Sequence, residues 1–204
     1  MKTTSIRIVG VGGQGIVLAS NLIGEVALAA GLDVKKAEVH GMSQRGGSVT
    51  CDVRFGKKVF SPLTAPGEVD LIIAFERLEA LRNLPALKPE GLIVVNRQSI
   101  APSTVTAGMA TYPPDVDEQL RRQAQRLVFV DGPRIAAELG DPRVINSAVL
   151  GAASCLLPFS LEQWEEAFHA RLKNKGVEVN LQAFRRGRSE AESVEIESPG
   201  LQTA

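Results

Sequence analysis

The sequence predicts an α/β fold: a mostly parallel sheet with helices on both faces and a β-hairpin after the second strand. Three observations predict it. Apolar runs of strand length alternate with segments of helical period along most of the 204 residues, the order that builds parallel sheets through helical crossovers. Two of the runs, residues 69–75 and 91–95, are apolar at nearly every position, as central strands covered on both faces must be. The first run ends in Gly10-Val11-Gly12-Gly13-Gln14-Gly15, which opens a helical stretch. This G-x-G-x-x-G pattern, set between strand and helix, marks a Rossmann-like sheet.

Residues 5–11 read as the first strand and 14–30 as the first helix, with Ile16, Leu18, Leu22, Ile23, Val26 and Ala30 on its apolar side and Gly31 as its C-cap. In the turn between them, Gly10 permits a sharp exit from the strand and Gly12 removes a Cβ that would hold a ligand away from the backbone. Gly15 lets the helix lie close to the strand. Residues 34–39 form the second strand. Its Glu38 lies 23 residues beyond Gly15, near the place where a dinucleotide fold carries its ribose-binding acid. In residues 48–55, Val49, Cys51, Val53 and Phe55 alternate with Ser48, Thr50, Asp52 and Arg54, the period of a half-buried strand. A turn at Gly56-Lys57-Lys58 and a return through Val59-Phe60 predict the hairpin, a departure from the helical crossover expected there.

Further strands are expected at 69–75, 91–95 and 127–130, with an edge strand at 105–109 and helices at 76–84 and 113–125. Asn96 reads as a turn starter rather than a ligand contact. Asp131-Gly132-Pro133 opens a short helix that Gly140 ends. Residues 146–157 form an apolar helix rich in Ala148, Gly151, Ala152, Ala153 and Ser154. Such a surface admits a close backbone, either the sheet or a second subunit. Ser160 and Gln163 make a capping box for a helix carrying Trp164, Phe168 and Leu172. Val177, Leu181 and Phe184 predict a last short helix. Residues 1–188 read as one domain and 189–204 as a polar, disordered tail.

Composition narrows the function. Lys and Arg number 23, as do Asp and Glu, so no net field draws the chain to nucleic acid or an anionic membrane. One Trp and one Tyr leave few stacking platforms for bases. Arg7 and the glycines interrupt the first apolar run, which excludes a signal peptide, and no segment reaches the length of a membrane span. A cytoplasmic location is expected. The two cysteines, Cys51 and Cys155, read as free thiols of a reducing compartment, although sequence alone leaves a disulfide open. There is no C-x-x-C, so this chain cannot supply the four thiolates of an iron–sulfur cluster. His40 and His169 lack ligand spacing. With no G-x-S-x-G, no P-loop lysine and no nucleophile–base set, no catalytic residue and no metal ligand are assigned.

What remains is the glycine turn and the polar loop His40-Gly41-Met42-Ser43-Gln44-Arg45-Gly46-Gly47. Arg45 offers a planar guanidinium to a carboxylate or phosphate, and Gly46 and Gly47 permit close backbone approach. Both stretches follow strands, and open α/β sheets bind ligands at the carboxyl ends of strands. The residues thus describe a binding domain for an anionic group, working with a partner that carries the reactive groups. Two alternatives stay open on the residues alone. One is a nicotinamide-dependent reductase using the glycine turn and Glu38. The other is a non-enzymatic nucleotide-binding module in which the glycines only pack helix on sheet and Arg45 only caps carbonyls.

The glycine turn together with the Gly41–Val49 stretch resembles the gamma-type domain of the 2-oxoacid:ferredoxin oxidoreductases. The Gly-Met-Ser-Gln-Arg-Gly-Gly version is most similar to the beta subunits of the indolepyruvate branch, and Asn146-Ser147-Ala148-Val149-Leu150-Gly151 resembles the family's late helix. The likeness runs over residues 5–186. It implies oxidative decarboxylation of an arylpyruvate with coenzyme A to an aryl-acetyl-CoA, carbon dioxide and reduced ferredoxin. It also implies that thiamine diphosphate, magnesium and the iron–sulfur clusters belong to a larger alpha subunit, and that the isolated small chain is inactive. Coenzyme A is then a co-substrate whose phosphates suit the glycine turn and Arg45. The candidate cofactor-binding region is Gly12, Gly13, Gln14, Gly15, Gln44, Arg45 and Gly46.

Overall fold

The computed structural model describes residues 2–40, 47–173 and 175–193. Six strands, β1 (Thr4–Val11), β2 (Asp33–His40), β3 (Ser48–Gly56), β4 (Val69–Ala74), β5 (Leu87–Asn96) and β6 (Arg126–Val130), form one sheet in the order β2-β3-β1-β4-β5-β6. β1, β4, β5 and β6 run parallel. β3 runs antiparallel to both β1 and β2. The helices are α1 (Ile16–Ala29), α2 (Arg77–Asn83), α3 (Ser103–Thr106), α4 (Val116–Gln123), α5 (Gly132–Glu138), α6 (Ile145–Ser154), α7 (Leu161–Leu172) and α8 (Val177–Ser193).

The pleat of the strands sorts their side chains into two cores. On one face Ile6, Ile8, Cys51, Val53, Phe55, Ile73 and Val94 meet α1, α6, α7 and α8. A column of aromatic rings runs through this core, from Phe55 to Phe159, Trp164, Phe184 and Phe168, with successive centroids 5.3–6.0 Å apart. On the other face Ile72, Ala74, Ile93, Val95 and Phe129 meet α2 and α4. There α2, backed by α4, packs against β1, β4 and β5. Beside it, the cross-strand neighbours Arg7 and Asp52 close a bidentate ion pair at 2.8 and 2.9 Å, a geometry that holds charge well in a half-dry site. The hydrogen bonds that Arg7 donates to Asp52 raise its pKa above the ordinary value.

Four expectations are corrected. The hairpin is formed by β2 and β3 themselves, pairing from Asp33↔Gly56 to His40↔Val49. Val59-Phe60 is not a strand; instead the Val59 amide donates to Asp33 Oδ2 at 2.8 Å, which ties the chain leaving β3 to the start of β2. Residues 105–109 are not an edge strand either. Pro102 starts the short helix α3, with the Thr106 amide bonded to its carbonyl, and the sheet ends at β2 and β6. The small-residue face of α6 is taken by α8 of the same chain: a Cβ on Gly151 would stand 2.0 Å from the Phe184 carbonyl oxygen. Finally, α8 is 17 residues long and continues through Ser193, because its apolar positions Val177, Leu181, Ala183 and Phe184 anchor a helix whose polar remainder propagates at little cost.

Candidate functional site

The glycine turn stands where β1 leaves the sheet. Gly10 is there for space: a Cβ would meet Gln14 Oε1 at 2.7 Å, Phe75 Cβ at 3.0 Å and Ile16 Cδ1 at 3.1 Å. The close helix–strand approach expected at Gly15 is thus made at Gly10. Gly15 is the N-cap of α1 in the left-handed region, φ 82°, and a Cβ on it would stand 2.3 Å from Asn146 Nδ2 at the start of α6. Gly13 also has positive φ, 103°, and faces open space. The Gly12 amide donates to the Gly47 carbonyl at 2.9 Å. The glycine turn and Gly47, the last residue of the polar loop, are therefore adjacent. Gln44, Arg45 and Gly46 lie outside the described residues.

Gln14 is drawn inward. Its Oε1 accepts from the Val11 amide at 2.7 Å, and its Nε2 donates to the Phe75 carbonyl at 2.9 Å and to Gln98 Oε1 at 3.0 Å. It staples the ends of β1, β4 and β5 together. Asn96, expected to start a turn, is fully buried. Its Oδ1 accepts from the Gly132 amide at 3.1 Å, and its Nδ2 donates to the Phe75 carbonyl at 3.0 Å.

A cleft of about 270 Å³ opens beside this staple, lined by Gly13, Gln14, Gly15, Gln98, Arg143 and Asn146 among others. The N-termini of α1 and α6 both reach it, and neither helix has an acidic residue in its first turn. Their partial positive charges therefore face the cleft, that of α6 alongside Asp141, which caps the turn leading into it. Arg143 is exposed and shares its charge with Asp141, whose Oδ2 accepts from Nη2 at 2.7 Å. Arg143 in turn holds the Asp141 carboxyl down at about 2. The cleft has the character of an oxyanion site: donors and helix ends, with little net charge.

Gln98, Arg143 and Asn146 were not among the expected ligand contacts. Gln98 carried a usable signal, since it lies two residues past a central strand's carboxyl end. Arg143 carried none, because a single 3₁₀ turn such as Pro142–Val144 leaves no period in sequence. Glu38, the candidate ribose acid, sits on β2, two strands away from β1, in an ion pair with Lys36 Nζ at 2.6 Å. Burial pushes the Cys51 thiol up to about 11. Both cysteines are free, and among the described residues no group of His, Cys, Asp and Glu gathers as a metal site. No helix among them is long and apolar enough to cross a membrane.

Known proteins share this fold. The family model for pyruvate ferredoxin/flavodoxin oxidoreductase matches residues 5–190. Indolepyruvate oxidoreductase subunit IorB of Thermococcus kodakarensis is 41% identical, over 92% of this chain and 95% of its own. In fold, the chain resembles the gamma subunit of a keto/oxoacid ferredoxin oxidoreductase from Geobacter sulfurreducens, with a TM-score of 0.70 and 23% identity, covering 94% of this chain and 99% of that one. It also resembles part of the 2-oxoglutarate:ferredoxin oxidoreductase from Magnetococcus marinus, with a TM-score of 0.73 and 23% identity. That match covers 98% of this chain but 32% of the other, so the same fold occurs there within a longer polypeptide. From residue 5 to residue 190, then, sequence and fold agree, and the chain belongs to the pyruvate ferredoxin/flavodoxin oxidoreductase family.

Proposed function

We propose that this chain is the small subunit of a heteromeric, cytoplasmic indolepyruvate (arylpyruvate):ferredoxin oxidoreductase. The reaction joins a 2-oxoacid and coenzyme A. The bond between the two carbonyl carbons breaks, carbon dioxide leaves, a thioester forms, and one proton and two electrons are released, the electrons to ferredoxin. The single observation that carries the reading is the 41% identity to an indolepyruvate oxidoreductase subunit across nearly the whole of both chains. The Magnetococcus marinus neighbour, solved with 2-oxoglutarate, coenzyme A and succinyl-CoA bound, supports coenzyme A as co-substrate.

The chain's own residues do not fit the redox groups. A cubane cluster needs four thiolates, the sequence holds two cysteines, and Cys51 is a buried thiol of raised pKa. The iron–sulfur clusters are therefore assigned to the larger alpha subunit, and the family resemblance implies that thiamine diphosphate and magnesium belong there too. The small chain contributes the donor-lined cleft, and Gly12, Gly13, Gln14, Gly15, Gln44, Arg45 and Gly46 are the residues proposed to meet the coenzyme's phosphates.

The test is co-expression with the larger subunit, followed by dye or ferredoxin reduction with a panel of 2-oxoacids. Coenzyme A-dependent turnover is expected, with kcat/KM for indolepyruvate and phenylpyruvate at least about tenfold above pyruvate, a discrimination of roughly 1.4 kcal/mol. The small chain alone gives none. A small chain that never associates with the larger one, or a complex that prefers pyruvate, contradicts the proposal.

A further inference from the structure

Three carboxamides meet at the carboxyl ends of β1 and β5, and their orientations follow from the backbone. A main-chain N–H can only donate. The Val11 amide therefore fixes the Gln14 atom it meets as oxygen, which turns Gln14 Nε2 toward Gln98. The Gly132 amide fixes Asn96 in the same way and turns its Nδ2 toward Gln98 at 3.2 Å. Two N–H donors thus converge on one atom of Gln98, and that atom must be its oxygen. Gln98 is left with its NH2 group, which donates to no described residue. Its own main-chain groups are used, the amide toward Asn96 and the carbonyl toward Arg77.

Asn146 is arranged alike. Its Oδ1 accepts from the Ser147 amide at 2.8 Å and lies 3.4 Å from the Ser147 hydroxyl. Ser147 is in turn held by Asn180 at 2.6 Å. The Nδ2 of Asn146, beside Gly15, donates to no described residue. Gln98 and Asn146 line the same cleft.

We propose that Gln98 and Asn146 are the donors that grip a phosphate or pyrophosphate oxygen in this cleft, and that Gln14 and Asn96 are positioning residues that orient Gln98. The proposal rests on reading the cleft as the phosphate site of a coenzyme A-consuming complex. The N-termini of α1 and α6, with no acidic residue in their first turns, favour the same ligand class. A neutral NH2 pair suits a site in which Arg143 is already partnered by Asp141: it reads an acceptor without adding charge.

The probe is inorganic pyrophosphate, titrated into the full chain while the side-chain carboxamide resonances are followed by NMR. The Gln98 and Asn146 NH2 signals are expected to move together and saturate, and those of Gln14 and Asn96 to move little. Gln98→Glu keeps an oxygen for the two inward donors but turns an anionic acceptor to the cleft. Asn146→Asp does the same at its position. Each is expected to weaken pyrophosphate at least about tenfold, with a melting temperature close to the parent's. Unmoved Gln98 and Asn146 signals, or variants that bind as tightly as the parent, overturn the proposal. Coenzyme A-dependent turnover of the reconstituted complex, measured in parallel, separates the two readings. Turnover with silent carboxamides removes this inference and leaves the proposed function standing. Responsive carboxamides in a complex indifferent to coenzyme A do the reverse.

Discussion

Gly15 carries two constraints at once. Its φ of 82° lies in the left-handed region, where an L side chain costs roughly 1–2 kcal/mol. Its Cβ position is also 2.3 Å from Asn146 Nδ2, so a methyl group there must push the start of α6 aside. Gly13 has the first constraint without the second, with φ 103° and open space around it. Gly15→Ala is therefore expected to cost about 2–4 kcal/mol and Gly13→Ala about 1–2 kcal/mol, both read from urea unfolding. Equal losses would mean that α6 yields freely at Asn146. The glycines were legible in the sequence because their need is local: a turn must be made between a strand and a helix. Gln14 and Asn96 were not. Two of the three partners of Gln14 lie 61 and 84 residues away, and no spacing in the chain announces a contact at that range. A polar residue after a strand end looks the same whether it turns outward to a ligand or inward to a neighbouring carbonyl.

At the scale of elements, α6 and α8 are the pair that depends most on the absence of side chains. A Cβ on Gly151 would fall 2.0 Å from the Phe184 carbonyl oxygen, and one on Gly187 would fall 1.9 Å from the Ala148 carbonyl oxygen. These are backbone atoms on both sides, so no rotamer change relieves the clash and the helices must separate. Opening them strips Phe184, fully buried, from the aromatic column. Gly151→Ala and Gly187→Ala are each expected to cost at least about 3 kcal/mol in chemical denaturation. The double variant should cost less than the sum, because the first methyl already opens the gap the second needs. Additive losses would show that the two glycines serve separate contacts. The small-residue pattern of α6 was readable, but its partner was not, since a stripe of Ala and Gly accepts any close backbone. The hairpin was readable too, but on the wrong pair of strands. Both β2 and β3 carry a period of two, and the Gly56-Lys57-Lys58 turn signal sits after β3, whereas the pairing runs from Gly56 back to Asp33. The Pro-led helix α3 was misread because Val105 and Thr106 favour strands, a weak preference that the helical start at Pro102 overrides.

At the scale of the whole molecule, the fold class followed from the alternation of strand and helix, while the strand order did not, and the order decides one function. In a dinucleotide fold the second strand lies beside the first, so its terminal acid reaches a ribose whose pyrophosphate sits on the glycine turn. Here β3 intervenes between β1 and β2. Strands are spaced about 4.8 Å apart, so Glu38 is displaced sideways by about 5 Å from the place such an acid would hold. It is also engaged with Lys36 at 2.6 Å. A hydrogen bond of about 2.7 Å cannot span that displacement while the pyrophosphate stays on the turn. On that side the strand adjoining β1 is β3, which runs antiparallel to it, so its carboxyl end is at the opposite edge of the sheet. On the other side, where β4 adjoins β1 in parallel, the acid after the strand, Glu76, is buried and accepts from the Glu79 and Ile100 amides and the Tyr112 hydroxyl. Titration of NAD(H) into the full chain, followed by calorimetry, is therefore expected to give no saturable heat up to about 1 mM, a binding free energy weaker than roughly 4 kcal/mol, and Glu38→Ala should leave the trace unchanged. Saturable binding that Glu38→Ala abolishes would mean that the ribose is reached by a route this strand order does not provide.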